Sequence, residues 1–285
     1  MALAFEPRHR IGDEQRIALA IRSIAVLERI NGRFAEAMAN YEKALKVFHS
    51  AGDHVSAAHT LYSLAQLRLD CDDLNGAKTL LAEALTRSKA GGDRRVTAQV
   101  LHRMGQAHLQ AGESGLSAGS FEEALTVVRG IGDSIGEALA LHGLAMARLR
   151  QGKIVEAEET LRDALKLATA SRHRLAEAHV LSGLGELATA LGEPGRAATH
   201  LRRAAGLFRG MQMPLYEAQT LIMLSEALYA TGDHGEADDV MARTLDLAGR
   251  IDEQAGQRVR EQLRRVRHAR PSARSGLPAV GVRRR

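Results

Sequence analysis

The stretch LHGLAMARLRQGKIVEAEETLRDALKLA, from Leu141 to Ala168, has the skeleton of LHRMGQAHLQAGESGLSAGSFEEALTVV, from Leu101 to Val128, forty residues upstream. At a shift of forty the chain aligns on itself with no insertion or deletion. Ala44, Ala84, Ala124, Ala164 and Ala204 recur, as do Ala58, Ala98, Ala138, Ala178 and Ala218. Leu61, Leu101, Leu141, Leu181 and Leu221 form a third series, and Leu64, Met104, Leu144, Leu184 and Leu224 a fourth. Gly32, Gly112, Gly152, Gly192 and Gly232 form a fifth, with Asp72 as its exception. A chain with this period is an array of units that bury their apolar faces on one another.

Each unit reads as two amphipathic helices. Leu141, Leu144 and Ala145 fall at helical spacing before Gly152, and Ala157, Leu161, Ala164 and Leu165 do so after it. Gly152 suits the C′ position of the first helix, where left-handed backbone favours a residue without Cβ. At the other junction AGD, GGD and IGD place a Gly to end one helix and Asp53, Asp93 or Asp133 to cap the next. The recurrent Ala and Gly mark where helix axes approach closely. Aromatic residues make up only 3% of the chain and Trp is absent, which suits helices better than sheets.

Charge is unevenly placed. Residues 254–285 hold ten Arg and one acid, Glu261, whereas the rest of the chain is mildly acidic. Cys71 is the only cysteine, which rules out an intrachain disulfide and a multi-cysteine metal site. No stretch approaches eighteen uncharged apolar residues, and Pro7 and two arginines interrupt the N-terminus before an apolar run develops. The expectation is a cytoplasmic protein without membrane contact.

The unit resembles a tetratricopeptide repeat. Leu141 stands where that family has a large residue, followed by Leu144, Ala145, the turn at Gly152, Ala157, Leu161 and Ala164, while Gly105 and Gly185 supply the family's Gly at the place of Ala145. The family's second-turn Tyr is replaced by Arg68, His108, Arg148, Ala188 and Leu228, the closing Pro is missing, and the period is longer than the family's usual one. The longer variety resembles the sensor arrays of bacterial STAND-type (NB-ARC) and SARP-type transcription regulators and the extended repeats of kinesin light chains. The resemblance implies an all-α, right-handed α-α superhelix of six antiparallel helix pairs over residues 13–250.

The ends depart from the repeat. Ala4 and Phe5 align with Ala44 and Leu45, and Gly12-Asp13 with Gly52-Asp53, so residues 1–12 read as the remnant of a preceding repeat helix, either a frayed cap or the trace of a longer ancestor. That leaves an uncovered apolar face on the helix from Glu14 to Ile30, a surface for self-association. Ile251, Ala255, Val259, Leu263 and Val266 form one stripe of a capping helix over 251–267. Residues 268–285, with Pro271 and Pro278, read as a disordered Arg-rich tail. Three readings of the basic end stay open: nucleic-acid contact through phosphates, contact with an acidic protein, or solubility alone.

No phosphate loop, dinucleotide fingerprint, HExxH or GxSxG motif occurs, and the repeat itself explains nearly every apolar and glycine position, so no enzyme, cofactor or metal is expected. His102 and His142 occupy equivalent positions without a ligand-spaced partner, which favours groove lining over metal binding. In the family the first helix of each unit lines the concave face and holds peptides or protein segments. Carried over by position, that face presents Arg22, Val26 and Arg29, then His59, Tyr62 and Gln66, then Gln99, His102 and Gln106. His142, Met146 and Arg150 follow, then His179, Ser182 and Glu186, then Gln219, Glu226 and Tyr229. Tyr and Arg are common anchors, Met adapts its shape, and amide or imidazole groups can satisfy a peptide backbone. The expected function is a protein or peptide-binding scaffold or sensor, with the sensing arm of a transcription regulator as the alternative.

Overall fold

The structure, a computed structural model, describes residues 5–251 and 253–268. Thirteen α-helices occupy the described residues, with no strand among them. In order they are α1 (Phe5–Ile30), α2 (Phe34–Ser50), α3 (His54–Asp70), α4 (Leu74–Ala90), α5 (Arg94–Gln110), α6 (Ser114–Ile131) and α7 (Ser134–Arg150). Then follow α8 (Ile154–Ala170), α9 (Arg174–Ala190), α10 (Pro194–Gly210), α11 (Pro214–Thr231), α12 (His234–Ala248) and α13 (Glu253–His268). They form two compact units, residues 1–176 and 177–285. In the first, α3 packs on α4, α5 on α6 and α7 on α8, while α5 also touches α3 and α7. In the second, α10 packs on α11, α11 on α12, and α13 closes over both α11 and α12.

One turn is used throughout. The residue at every twentieth position from 32 to 232 has positive φ: Gly32, Gly52, Gly92, Gly112, Gly132, Gly152, Gly192 and Gly232, together with Asp72, Arg172 and Gln212. At Gly52 the amide donates to the His49 carbonyl at 3.2 Å and the Asp53 amide to the Phe48 carbonyl at 2.9 Å. This is the Schellman pairing, which satisfies carbonyls left over at a helix end. The next residue begins the following helix at once. Asp53 accepts from the Ser56 amide at 2.9 Å, Asp93 from Val96 at 3.1 Å and Asp133 from Gly136 at 2.9 Å. A helix of 17 residues and a turn at positions 51–53 therefore recur as one half-unit, and both junctions of the repeat are the same structure.

The recurrent small residues lie where expected. Ala44, Ala84, Ala124, Ala164 and Ala204 are at most 1% exposed, and the Leu61 series is buried too, at most 7% exposed. Their smallness matches the bulk opposite them. Phe121, fully buried, lies between Gly105 of α5 and Gly143 of α7. A Cβ on Gly105 would stand 2.7 Å from its ring and one on Gly143 2.2 Å. Gly185 makes the same room for Leu201. Ser117 of α6 donates to the Gly105 carbonyl at 2.8 Å, so the close approach also satisfies a buried hydroxyl.

The first helix differs from its expected form. The break at Gly12-Asp13 is absent, and α1 runs through both residues. Asp13 pairs with Arg16 at 3.1 Å along the helix instead of capping a new one. Glycine permits a left-handed turn but does not impose it. Ile17, Ile24 and Leu27 are 59%, 49% and 59% exposed, while the equivalent Leu64 and Leu67 of α3 are at most 4% exposed. The apolar face expected on this helix is thus uncovered. Toward the C-terminus Val259, Leu263 and Val266 of α13 are buried in the core shared with α11 and α12, and Ala255 on the same stripe is buried as well. The tail expected beyond α13 lies outside the described residues.

Arg172 and Gln212 adopt φ of 52° and 55°, a conformation that costs an L-residue with Cβ about 1–2 kcal/mol. Arg172→Gly should raise the unfolding free energy by about 0.5–1 kcal/mol once glycine's extra chain entropy is deducted. Urea denaturation measures it.

Candidate binding surface

Tyr62 of α3 and Gln99 and His102 of α5 come together on a cavity of about 530 Å³. Each lies on the outward side of a first helix whose other side carries a core series, Leu61 and Leu64 on α3 or Ala98 and Leu101 on α5. Ala124, Val128 and Ile131 at the end of α6 and Ile135, Leu139 and Ala140 at the start of α7 give the cavity an apolar wall. Arg95 stands on its rim, and its guanidinium makes no hydrogen bond or ion pair among the described residues. The site thus offers a half-buried phenol, an amide, an imidazole and a free cation beside an apolar recess, the mixture a peptide-sized ligand needs.

Two of these side chains rest on neighbouring groups. The His102 ring meets the buried Phe121 ring edge-on, with centroids 5.4 Å apart, and Phe121 is itself fixed between two glycines. The Arg103 guanidinium lies 6.0 Å from the Tyr62 ring centroid and donates to Gln106 at 3.0 Å, which links a groove position on α3 to one on α5. Asp133 spends its carboxylate on the cap of α7.

Toward the N-terminus, burial lowers the pKa of Arg22, a shift partly offset by Asp53. Burial also lowers that of His59, and the nearby Arg22 charge adds to the effect. His59 is therefore held neutral near pH 7. Arg29 is committed to Asp70 at 2.7 Å. Val26, Gln66 and His142 are half-buried, and Gln106 and Arg150 are exposed. Met146 is a correction: expected on the accessible face, it is only 6% exposed. A long, flexible Met side chain adapts readily to a buried place.

In residues 177–285 two more expected positions are occupied by packing. His179 meets Phe208 and Tyr216 edge-on at 5.2 and 5.0 Å, while those two rings stack at 5.5 Å. Burial takes the His179 pKa down to about 4. Tyr229 gives its hydroxyl to Asp238 of α12 instead of to an open face. Ser182 and Glu186 are half-buried, and Gln219 and Glu226 line a shallow cleft with Gln262 and Arg265 of α13. Among the described residues no three His, Cys, Asp or Glu side chains stand close enough to hold a metal, and no helix is long and apolar enough to cross a membrane.

The position-by-position reading missed Arg95, Ile135 and the α6 terminus. Arg95 is equivalent to Val55, Ile135, Leu175 and Leu215, so a lone cation in an apolar series was the available signal.

A family model described as tetratricopeptide repeat matches residues 16–90 and 136–210, more than half the chain, and a second tetratricopeptide repeat model matches 218–243. No curated protein sequence matches. Among solved structures, BtubC from P. vanneervenii is similar at 21% identity and a TM-score of 0.53, covering 97% of this chain and 98% of that one. A signal transduction ATPase with a tetratricopeptide repeat sensor, from Pyrococcus horikoshii, is similar at 19% identity and a TM-score of 0.62. That match covers 90% of this chain but 40% of the ATPase. A Rap protein complexed with competence and sporulation factor is similar at 13% identity and a TM-score of 0.61, over 87% of this chain and 74% of that one. At these identities the likenesses speak for the fold.

The His179 ring takes up a proton more readily when unfolded (pKa near 6.5) than when folded (about 4). Its contribution to stability is therefore complete above pH 6.5 and is lost progressively as pH falls toward 4. His179→Phe keeps an aromatic ring against Phe208. The variant's Tm should fall less than the parent's between pH 7 and pH 4, as read by thermal scans at each pH.

Proposed function

We propose that this chain, which belongs to the tetratricopeptide repeat family, is a non-enzymatic interaction protein that binds a protein or peptide segment on the face formed by its first helices. The observation that carries this reading is the recess at Tyr62, Gln99 and His102. Three accessible polar side chains converge there beside an apolar wall; the His102 ring rests on the buried Phe121 ring, and the Arg103 guanidinium lies over the Tyr62 ring. Side chains fixed in advance lose little entropy on binding, so a modest surface can give useful affinity. The Rap protein solved with its factor supports the reading by analogy of fold.

A sensing role is the second reading. It is supported by the likeness to the repeat sensor of the Pyrococcus horikoshii ATPase. In that role the same recess takes an effector and reports it to an ATPase and DNA-binding partner.

Affinity capture from cell lysate with mass spectrometry tests both. Bait chains are the parent, Tyr62→Ala/Gln99→Ala and a truncation lacking 269–285, each checked for folding by circular dichroism. A partner held by the parent and the truncation but weakened at least tenfold, about 1.4 kcal/mol, in the double variant is the expected result. Partners that survive the double variant and vanish with the truncation would place binding at the basic end and refute the recess.

A further inference from the structure

The cleft beside α13 exposes more of its apolar floor than its counterpart within the repeats. In α6, Leu125 is 5% exposed beneath α7, whereas the equivalent Leu245 of α12 is 48% exposed beside α13. Helix α13 does not take the register of a seventh first helix, and between it and α12 remains a cleft of about 420 Å³. Met241, Ala242 and Leu245 of α12 and Leu263 of α13 form its floor. Arg260, Arg264 and Arg267 form one lip, spaced at four and three residues so that they share a helix face.

These arginines are not equally free. Arg260 is engaged with Glu253 at 3.1 Å and with the Ala248 carbonyl at 3.3 Å. Arg264 and Arg267 are exposed and make no ion pair or hydrogen bond among the described residues. The one carboxylate in the cleft, Asp238, already accepts the Tyr229 hydroxyl. An apolar floor thus sits beside two uncompensated guanidinium groups, each able to take a carboxylate in a two-pronged hydrogen-bonded pair.

We propose that the α12–α13 cleft binds an acidic amphipathic segment of a partner protein, with its apolar side chains on Met241, Ala242 and Leu245 and its carboxylates on Arg264 and Arg267. The charge pattern selects the class of partner, because only an acidic segment compensates the lip while covering the floor. A nucleic acid would leave the floor uncovered and would find no aromatic ring in the cleft on which to stack a base. This site is separate from the recess at Tyr62, and it stands whether or not that recess binds a peptide.

The test uses the full chain and a fluorescein-labelled sixteen-residue helical peptide with Leu at alternating three- and four-residue spacing and Glu at its other positions. A counterpart with Lys for Glu and a short labelled DNA duplex are run beside it by fluorescence anisotropy. The Leu/Glu peptide should bind saturably and the Lys counterpart at least tenfold more weakly. R264E/R267E and L245E should each weaken the Leu/Glu peptide at least tenfold, whereas R265E, on another side of the same helix, should leave it within twofold. These positions are all exposed, so folding is retained, and circular dichroism checks it. Equal binding of the two peptides, or an equal loss with R265E, would overturn the site. DNA binding that R264E/R267E abolishes, without preferential binding of the acidic peptide, would assign the arginine row to nucleic acid and overturn it equally.

Discussion

Among the described residues, each helix before α13 adjoins a left-handed residue. An α-helix ends with unpaired carbonyls, and the Schellman pairing closes them only if the chain reverses through positive φ. Repeated at each twentieth residue from 32 to 232, that reversal sets the helices' length and antiparallel order. Asp53, Asp73, Asp93 and Asp133 each follow a reversal by one residue and cap the helix that starts there, so one helix's end becomes the next one's start.

Packing follows from that spacing. Because every unit returns in the same register, a bulky residue such as Phe121 always meets the same positions on its neighbours, and Gly105 and Gly143 provide its room. The recess depends on this arrangement, since Phe121 is what the His102 ring rests against. The cap breaks the register at α13, and an apolar floor opens there. Binding features thus arise where the repeat is decorated and where it stops.

Much of the fold was legible in the sequence because the repeat constrains packing and turns together. The buried Ala and Leu series, the two helices per unit and the aspartate caps could be read from spacing alone. The half-length period could not. Arg172 and Gln212 carry no preference for left-handed backbone, and only the helices on either side of them force it. The opposite error occurred at Gly12, which has the residue type for a turn but not the helix that would require one. Among the surface positions, Tyr62, Gln99 and His102, expected from their places on the first helices, line one cavity. Met146 and His179 share those places but are taken up by local packing. That depends on neighbours such as Phe208 and Tyr216, which lie outside the repeat signature.

The role of the turn can be isolated with two glycines. A Cβ on Gly132, at φ 69°, or on Gly119, inside α6, would meet no atom within 4 Å, so steric contact plays no part in either substitution. The measurement is the unfolding free energy of Gly132→Ala and Gly119→Ala in urea. If backbone handedness sets the turns, Gly132→Ala loses about 0.5–1 kcal/mol, the left-handed cost less the chain-entropy gain, while Gly119→Ala gains about 0.5–1 kcal/mol from reduced chain entropy. Equal stability in the two variants would contradict it.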